Sequence, residues 1–166
     1  TVGGAVASFG RRLEWPDDFF RVMWSAKFMQ KEYEGSQSDI DNYIGGLQKT
    51  RGISLSQVLS RDSRNRAEFP TNGSTFILEN TYSGGFLGGN ENFQKHMLTL
   101  DWFTPTFSKF VLYNSVKLGV IKTIDVGDDI QSFVPFDERF IMGGNGIPYG
   151  NALRGYPDNA IGPQTV

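Results

Sequence analysis

The stretch FIMGGNGIPYGNALRGYPDNAIGP, residues 140–163, decides how the rest of the chain is interpreted. It contains six glycines and three prolines, so it cannot form a regular helix or the interior of a strand. It also contains eight large apolar residues, which a loop surrounded by water would not need: Phe140, Ile141, Met142, Ile147, Tyr149, Leu153, Tyr156 and Ile161. This composition favours a loop that folds into a cavity, although an ordinary glycine-rich surface loop also fits it.

Arg154 is the only cation of this stretch, and Gly155 and Tyr156 follow it. If its guanidinium is buried, it must be paired with carboxylates, because an unpaired charge is costly to remove from water. Those carboxylates need not belong to the loop. The neighbouring glycine would let another surface approach the cation closely.

Six segments before the loop alternate apolar and polar residues with the period of two that is typical of strands. The second segment is the clearest, because Phe20, Val22 and Trp24 share one parity and Arg21 and Ser25 share the other. The sequence therefore predicts an all-β fold, an antiparallel meander. The predicted strands are 1–9, 20–33, 52–61, 74–82, 95–103 and 110–121.

The length of these segments bears on whether the sheet is soluble or spans a membrane. Segments of nine to fourteen residues exceed the common strand length of about five to six and fit the roughly nine to eleven of a tilted membrane strand. A soluble β-sandwich or lipocalin-like barrel, with its apolar face inward, has the same alternation. From the residues alone, both architectures stay open.

If the sheet is a membrane barrel, the connections fall into two sets at opposite ends. The connections 10–19, 62–73 and 104–109 would be periplasmic turns, and Trp15, Phe69 and Phe107 would form an aromatic girdle there. The connections 34–51 and 83–94 and everything after 122 would be external, because external loops are the longer ones. For the glycine-rich residues 84–89, the sequence favours a simple flexible connector.

The alternation also predicts which side chains share a face. The face towards the lumen would hold Arg21, Lys27, Glu79, Asp101 and Lys117. The face towards lipid would hold Trp24, Leu78, Leu100 and Leu112.

Composition argues against several functional classes. The net charge of −2 does not suit a nucleic-acid partner, and the absence of cysteine excludes thiolate chemistry and disulfides. His96 is the only histidine, and it has the parity of Leu98 and Leu100, which disfavours a Ser-His-Asp hydrolase. We therefore expect no catalytic residues and no enzyme activity.

Two further motifs do not indicate a bound ion or cofactor. Five acidic residues lie near one another in sequence without the spacing of an EF-hand, so a solvated acidic loop is favoured over a Ca²⁺ site. They are Asp125, Asp128, Asp129, Asp137 and Glu138. Gly144 and Gly146 begin a GxG pattern, but Tyr149 takes the place of the third glycine of a dinucleotide site. We expect no metal and no cofactor.

The residues GGNGIPYGNALRGY, 143–156, resemble the sixth-loop motif of the Omp85 superfamily, in which two glycines and a spacer precede Arg-Gly-aromatic. The likeness continues through 135–140, and the segments 65–73 and 12–18 also resemble this family. The resemblance implies a loop motif made of Arg154, Gly155, Tyr156, Gly143, Gly144 and Glu138. It further implies that Arg154 meets an acidic residue and an aromatic one on strands beyond residue 166.

The same resemblance implies a 16-stranded barrel in the bacterial outer membrane. This chain would supply strands six to eleven and the sixth loop, 123–166, and would look like an excised segment. The soluble POTRA domains and the strands of the barrel seam would lie outside it.

The resemblance is strongest to the branch of the family that inserts β-barrel proteins into the outer membrane. Its implied partners are unfolded outer-membrane proteins, outer-membrane lipid and, through parts outside this chain, assembly lipoproteins and periplasmic chaperones. Two-partner secretion or TamA-like transporters of the same family are the nearest alternative. A soluble β-sandwich binding module is a third interpretation.

Overall fold

The computed structural model describes residues 1–36, 38, 47–127, 133–145, 151–158 and 160–162. Six long strands and two short 3₁₀ helices make up the regular structure of these residues. The strands are β1 (Val2–Arg12), β2 (Phe20–Glu32), β3 (Lys49–Asp62), β4 (Gly73–Ser83), β5 (Phe93–Pro105) and β6 (Val111–Thr123). The 3₁₀ helices are Gly85–Leu87 and Phe136–Glu138. In the described residues, no helix is long and apolar enough to cross a membrane.

The strands form one antiparallel sheet in which each strand pairs only with its sequence neighbours, in the order β1 to β6. The pairing is continuous: β2 and β3 match residue for residue from Phe20↔Arg61 to Glu32↔Lys49. This architecture confirms the predicted all-β meander. It is consistent with part of an Omp85 β-barrel.

Most strands extend beyond the predicted ends. β3 begins at Lys49 rather than at 52, because Lys49 and Thr50 pair with Glu32 and Lys31 of β2. The weakly patterned first segment forms an 11-residue strand, because all of its residues pair with residues of β2. Backbone pairing needs no alternation of side chains, so glycines and polar residues continue the ladder where the sequence pattern has stopped.

The two faces of the sheet differ in what covers them. One face contacts the segment after β6: the side chains of Lys27, Glu79 and Lys95 line hollows there together with Glu138. We call this the loop-bearing face, and the opposite one the outer face. The register places all five residues predicted for the lumen on the loop-bearing face, among them Asp101, which lies opposite Ser115.

The outer face bears the side chains predicted to meet lipid: Trp24, Leu78, Leu100 and Leu112. Many of its large apolar residues stay exposed, including Phe9, Phe28 and Leu118. Of the four buried apolar residues in the described part of the chain, three lie where the loop meets the sheet, namely Phe93, Phe133 and Ile141. The apolar face of the sheet is thus not covered by this chain's own described residues.

Three aromatic residues lie in the connections that join β1 to β2, β3 to β4 and β5 to β6. Trp15, Phe69 and Phe107 are 83%, 88% and 73% exposed, and the meander places all three at the same end of the sheet. This position suits the predicted periplasmic girdle, which remains a prediction.

The assignment of faces predicts an asymmetric response to substitution. In the full-length protein, Leu100→Arg should lower the free energy of unfolding by about 2–4 kcal/mol, because it places a charge on the lipid side near the middle of a strand. Thr99→Ser, one residue away on the other face, should change it very little. Equal responses to both substitutions, measured by urea titration of the folded barrel in lipid, would contradict this assignment of the faces.

Candidate functional site

The segment after β6 returns to the loop-bearing face through the 3₁₀ helix Phe136–Glu138. There Asp137 accepts a hydrogen bond from Lys31 of β2, with 3.1 Å between Nζ and Oδ2. Lys31 Nζ also lies 3.4 Å from Oε1 of Glu91. One lysine thus joins the sheet to two acidic residues that are 46 positions apart in sequence (137 − 91).

We call Lys31, Glu91 and Asp137 the Lys31 cluster. Two of its three side chains are largely removed from water. The side chains of Lys31 and Glu91 are only 9% and 8% exposed. The Oγ1 hydroxyl of Thr50, on the neighbouring strand, donates a 2.8 Å hydrogen bond to Glu91 Oε1. A β-carbon at Gly52 would collide with the Glu91 carboxylate, so glycine is required there for the carboxylate to reach the cluster. The Lys31 ammonium compensates the charge of the buried Glu91 carboxylate, as burial of ionised groups requires.

Glu91 reaches this position because the connection from β4 to β5 lies back against β3. The backbone N–H groups of Gly84 and Asn90 donate to the carbonyl oxygens of Ile53 and Arg51. Asn92 is fully buried, and its Oδ1 accepts from Gly85 N–H at 2.8 Å. The prediction of a simple flexible connector at 84–89 is therefore wrong, because these backbone groups pair specifically with the sheet.

A second ion pair fixes the same 3₁₀ helix on the other side. Lys95 Nζ of β5 lies 2.9 Å from Glu138 Oε2 and donates to the Glu138 carbonyl oxygen, also at 2.9 Å. The ammonium lies 5.3 Å from the ring centre of Phe140. That ring covers Gly119 so closely that a β-carbon there would come within 2.5 Å of it.

Asp137 and Glu138 therefore depart from the solvated acidic loop that the sequence favoured. Each is paired with a lysine of the sheet. Among the described residues, no three His, Asp or Glu side chains come together as a metal site. Asp128 and Asp129 lie outside the described residues, and so do Gly146 and Tyr149 of the GxG comparison.

Arg139 follows Glu138 and points into the interior of the loop. It is 7% exposed, its Nε donates to the Val134 carbonyl oxygen at 2.9 Å, and its guanidinium lies 5.8 Å from the ring centre of Phe136. Burial lowers the pKa of this guanidinium. Phe133 and Ile141 are almost completely buried on either side of it in sequence. Residues 133–141 thus form a compact base for the loop.

The remaining described part of the loop folds on itself through backbone pairing. Met142 and Ile161 exchange two N–H to O=C bonds of 2.7 and 3.0 Å, and Asn151 N–H donates to the Ile141 carbonyl at 2.8 Å. Gly144 adopts φ = 47°, and a β-carbon there would collide with the Asp158 carboxylate. That carboxylate accepts the backbone N–H of Asn145 at 2.9 Å.

The motif residues Arg154, Gly155 and Tyr156 are an exposed part of this fold. Arg154 is exposed, and the structure gives it no acidic partner among the described residues. Gly155 has φ = 89°, and Tyr156 is 52% exposed, while its carbonyl oxygen accepts from Gly144 N–H at 2.9 Å. Of the predicted motif, Glu138 therefore lies at the base against Lys95, and Arg154, Gly155 and Tyr156 are exposed. The expectation that Arg154 pairs with residues beyond 166 stays a prediction.

Reasoning from sequence missed Lys31, Thr50 and Glu91 as members of the site. The sequence did contain one signal for Lys31: it is the last polar residue of β2 with the parity of the loop-bearing face. Glu91 and Asn92 carried no comparable signal, because their burial depends on where the connection folds.

Comparison with known proteins identifies the family of this chain. The family model for the Omp85 superfamily domain matches residues 1–166. The chain is also 30% identical over 131 residues to the outer membrane protein assembly factor BamA of Nitratidesulfovibrio vulgaris (strain Hildenborough). That alignment covers 76% of this chain and 15% of the relative, so the chain spans a small part of the protein it matches. The chain belongs to the Omp85 superfamily.

Proposed function

We propose that this chain is the central wall and sixth loop of a BamA-like assembly factor, which inserts β-barrel proteins into the bacterial outer membrane. Its substrates would be unfolded outer-membrane proteins. Assembly lipoproteins and periplasmic chaperones would bind parts of the protein outside this chain. No nucleic acid, cofactor or covalent chemistry is involved, because the work consists of strand pairing and membrane insertion.

The observation that carries this proposal is the fixed base of the loop. Lys31 and Lys95 hold Asp137 and Glu138 against the loop-bearing face, so the loop leaves the sheet from a defined point. Arg154 is exposed, so its guanidinium can bind a different part of the barrel. A loop that is held at its base and carries an exposed cation is suited to brace two walls of a barrel.

This arrangement assigns a static role to the four inner strands. Each strand from β2 to β5 is paired on both sides, so it offers no free edge to an incoming strand. Strand addition to a substrate requires an exposed edge, which must be supplied elsewhere in the barrel. We infer that the wall and its loop keep the barrel shape while another region opens.

The proposed function is tested by reconstituting the full-length protein with its assembly partners in liposomes and adding a urea-denatured outer-membrane β-barrel protein. Insertion should be faster than in protein-free liposomes, as followed by the mobility shift of the folded substrate in electrophoresis without boiling. Transport of a soluble passenger without any insertion of the barrel substrate would instead support the two-partner secretion alternative.

Removing the central lysine should loosen the loop base. Lys31→Met leaves the buried carboxylate of Glu91 without its cation, which typically costs about 3–5 kcal/mol. Lys49→Met is the matched control, because its 3.0 Å ion pair with Glu32 is exposed to water and exposed pairs contribute little to stability. Thermal unfolding of the full-length barrel in lipid, read by electrophoretic mobility, should separate the two variants; identical midpoints would contradict the role of the Lys31 cluster.

Arg154 should anchor the free side of the loop. In the full-length protein, Arg154→Ala should expose the loop to added protease in intact cells, because an acidic partner would lose its cation at a typical cost of about 3–5 kcal/mol. Arg154→Lys should restore protection only in part, since an ammonium cannot form two parallel hydrogen bonds to a carboxylate. Equal protection in wild type and Arg154→Ala would show that the anchor lies elsewhere.

A further inference from the structure

Two arginines lie directly opposite each other at the turn end of the sheet, the end that carries the connections 13–19 and 63–72. Arg12, the last residue of β1, is the cross-strand neighbour of Arg21 of β2 on the loop-bearing face. The Leu13 N–H donates to the Phe20 carbonyl oxygen at 2.9 Å, so the arginines occupy the adjacent non-hydrogen-bonded position, where side chains are closest. Like charges at such a position destabilise a sheet, and an anion between them would remove the repulsion.

The described residues give neither arginine a carboxylate partner. Arg12 Nε donates to the backbone carbonyl oxygen of Asp18 at 2.7 Å, and Arg21 forms no hydrogen bond or ion pair with the described residues. Asp62 attracts Arg21 only through space, because Arg64 binds both of its oxygens, with Nε and Nη2 at 2.9 and 2.8 Å. Both arginines are exposed, so most of their N–H groups are open to a ligand.

The two opposed arginines line a hollow of about 490 Å³ between the two turns. Arg61 and Arg64 also line it, and so do the apolar side chains of Phe19, Ala67 and Ile77. The guanidinium of Arg61 lies 5.5 Å from the ring centre of Phe19, which fixes one turn beside the hollow. The hollow thus combines guanidinium groups with a small apolar surface.

The charges around the hollow do not balance. Arg61 pairs with Asp17 and Arg64 with Asp62, both at 2.8 Å, and Asp18 also lines the hollow. Four guanidinium groups therefore meet three carboxylates, and one positive charge is left over in a chain whose net charge is −2. A single carboxylate matches this excess, and its two oxygens can accept hydrogen bonds from both opposed arginines. A phosphate monoester would bring roughly −1.5 to −2 charges, more than the excess.

We propose that this hollow binds an acidic side chain of a separate polypeptide that approaches the turn end of the sheet. The carboxylate accepts hydrogen bonds from Arg12 and Arg21, and an apolar residue beside it in the polypeptide packs against Phe19 and Ile77. Only the location of the hollow on the periplasmic side rests on the proposed function. The contact is weak and reversible, because the arginines are exposed to water.

The test measures binding of the peptide acetyl-Gly-Leu-Glu-Gly-amide, whose only charge is the glutamate, to the full-length protein in an uncharged detergent. Ligand-detected NMR titration should show binding to wild type, and the same peptide with glutamine should not bind. Arg21→Gln should weaken binding by about fivefold, as the loss of one exposed charged contact predicts. Arg11→Gln is the matched control, because Arg11 adjoins Arg12 on the outer face and does not line the hollow; it should bind the peptide like wild type.

Equal binding of the two peptides, or equal weakening by Arg21→Gln and Arg11→Gln, would overturn the proposal. It would also be overturned if wild type bound inorganic phosphate through Arg21 but not the peptide, or if it bound neither.

A second variant tests the geometry without a ligand. Arg21→Glu places a carboxylate opposite Arg12, so the thermal midpoint of the barrel should rise above that of wild type and the peptide should no longer bind. Arg11→Glu should do neither, and an equal rise in both variants would contradict the opposition of the two arginines.

Peptide binding is measured without any substrate protein. A protein that binds the peptide but inserts no β-barrel protein would contradict the proposed function and leave this site standing. Insertion without peptide binding would overturn only the site.

Discussion

Continuous in-register pairing of the six strands is the constraint on which the rest of this structure depends. Because side chains alternate between faces, a slip of one residue in any strand would reverse that strand's two faces. Lys31 would then point away from Asp137, and Trp24 would point towards the loop. The position of the loop and the chemistry of the outer face are therefore both consequences of the register set in the hairpins.

The Lys31 cluster is where the sheet and the loop become one unit. Lys31, Glu91 and Asp137 come from β2, from the connection between β4 and β5, and from the base of the loop. A buried pair is a weak source of net stability, but it strongly disfavours any arrangement that leaves one of its charges alone. The cluster therefore specifies where the loop docks more than it stabilises the sheet.

The two sides of the sheet use polar groups in different ways. On the loop-bearing face, charged groups are paired within the chain, as Lys95 is with Glu138. On the outer face, Gln57, Asn80 and His96 are neighbours in a largely apolar wall, and His96 Nδ1 lies 2.8 Å from Asn80 Oδ1. The first arrangement holds the chain's own loop, and the second joins neighbouring strands without any contact to the loop.

The sequence by itself determined the six strands, the meander and the two faces, because period-two alternation is a local pattern. The role of the motif around Arg154 stays a prediction. The sequence placed the strand ends less well, since backbone pairing at Lys49 and Thr50 continues without alternation. Only the tertiary structure decided that Glu91 is buried beside Lys31, that Asp137 pairs with a lysine 106 positions earlier, and that Gln57, Asn80 and His96 form one row. These contacts join residues that are distant in sequence, so they depend on how the connections fold back and which strands become neighbours.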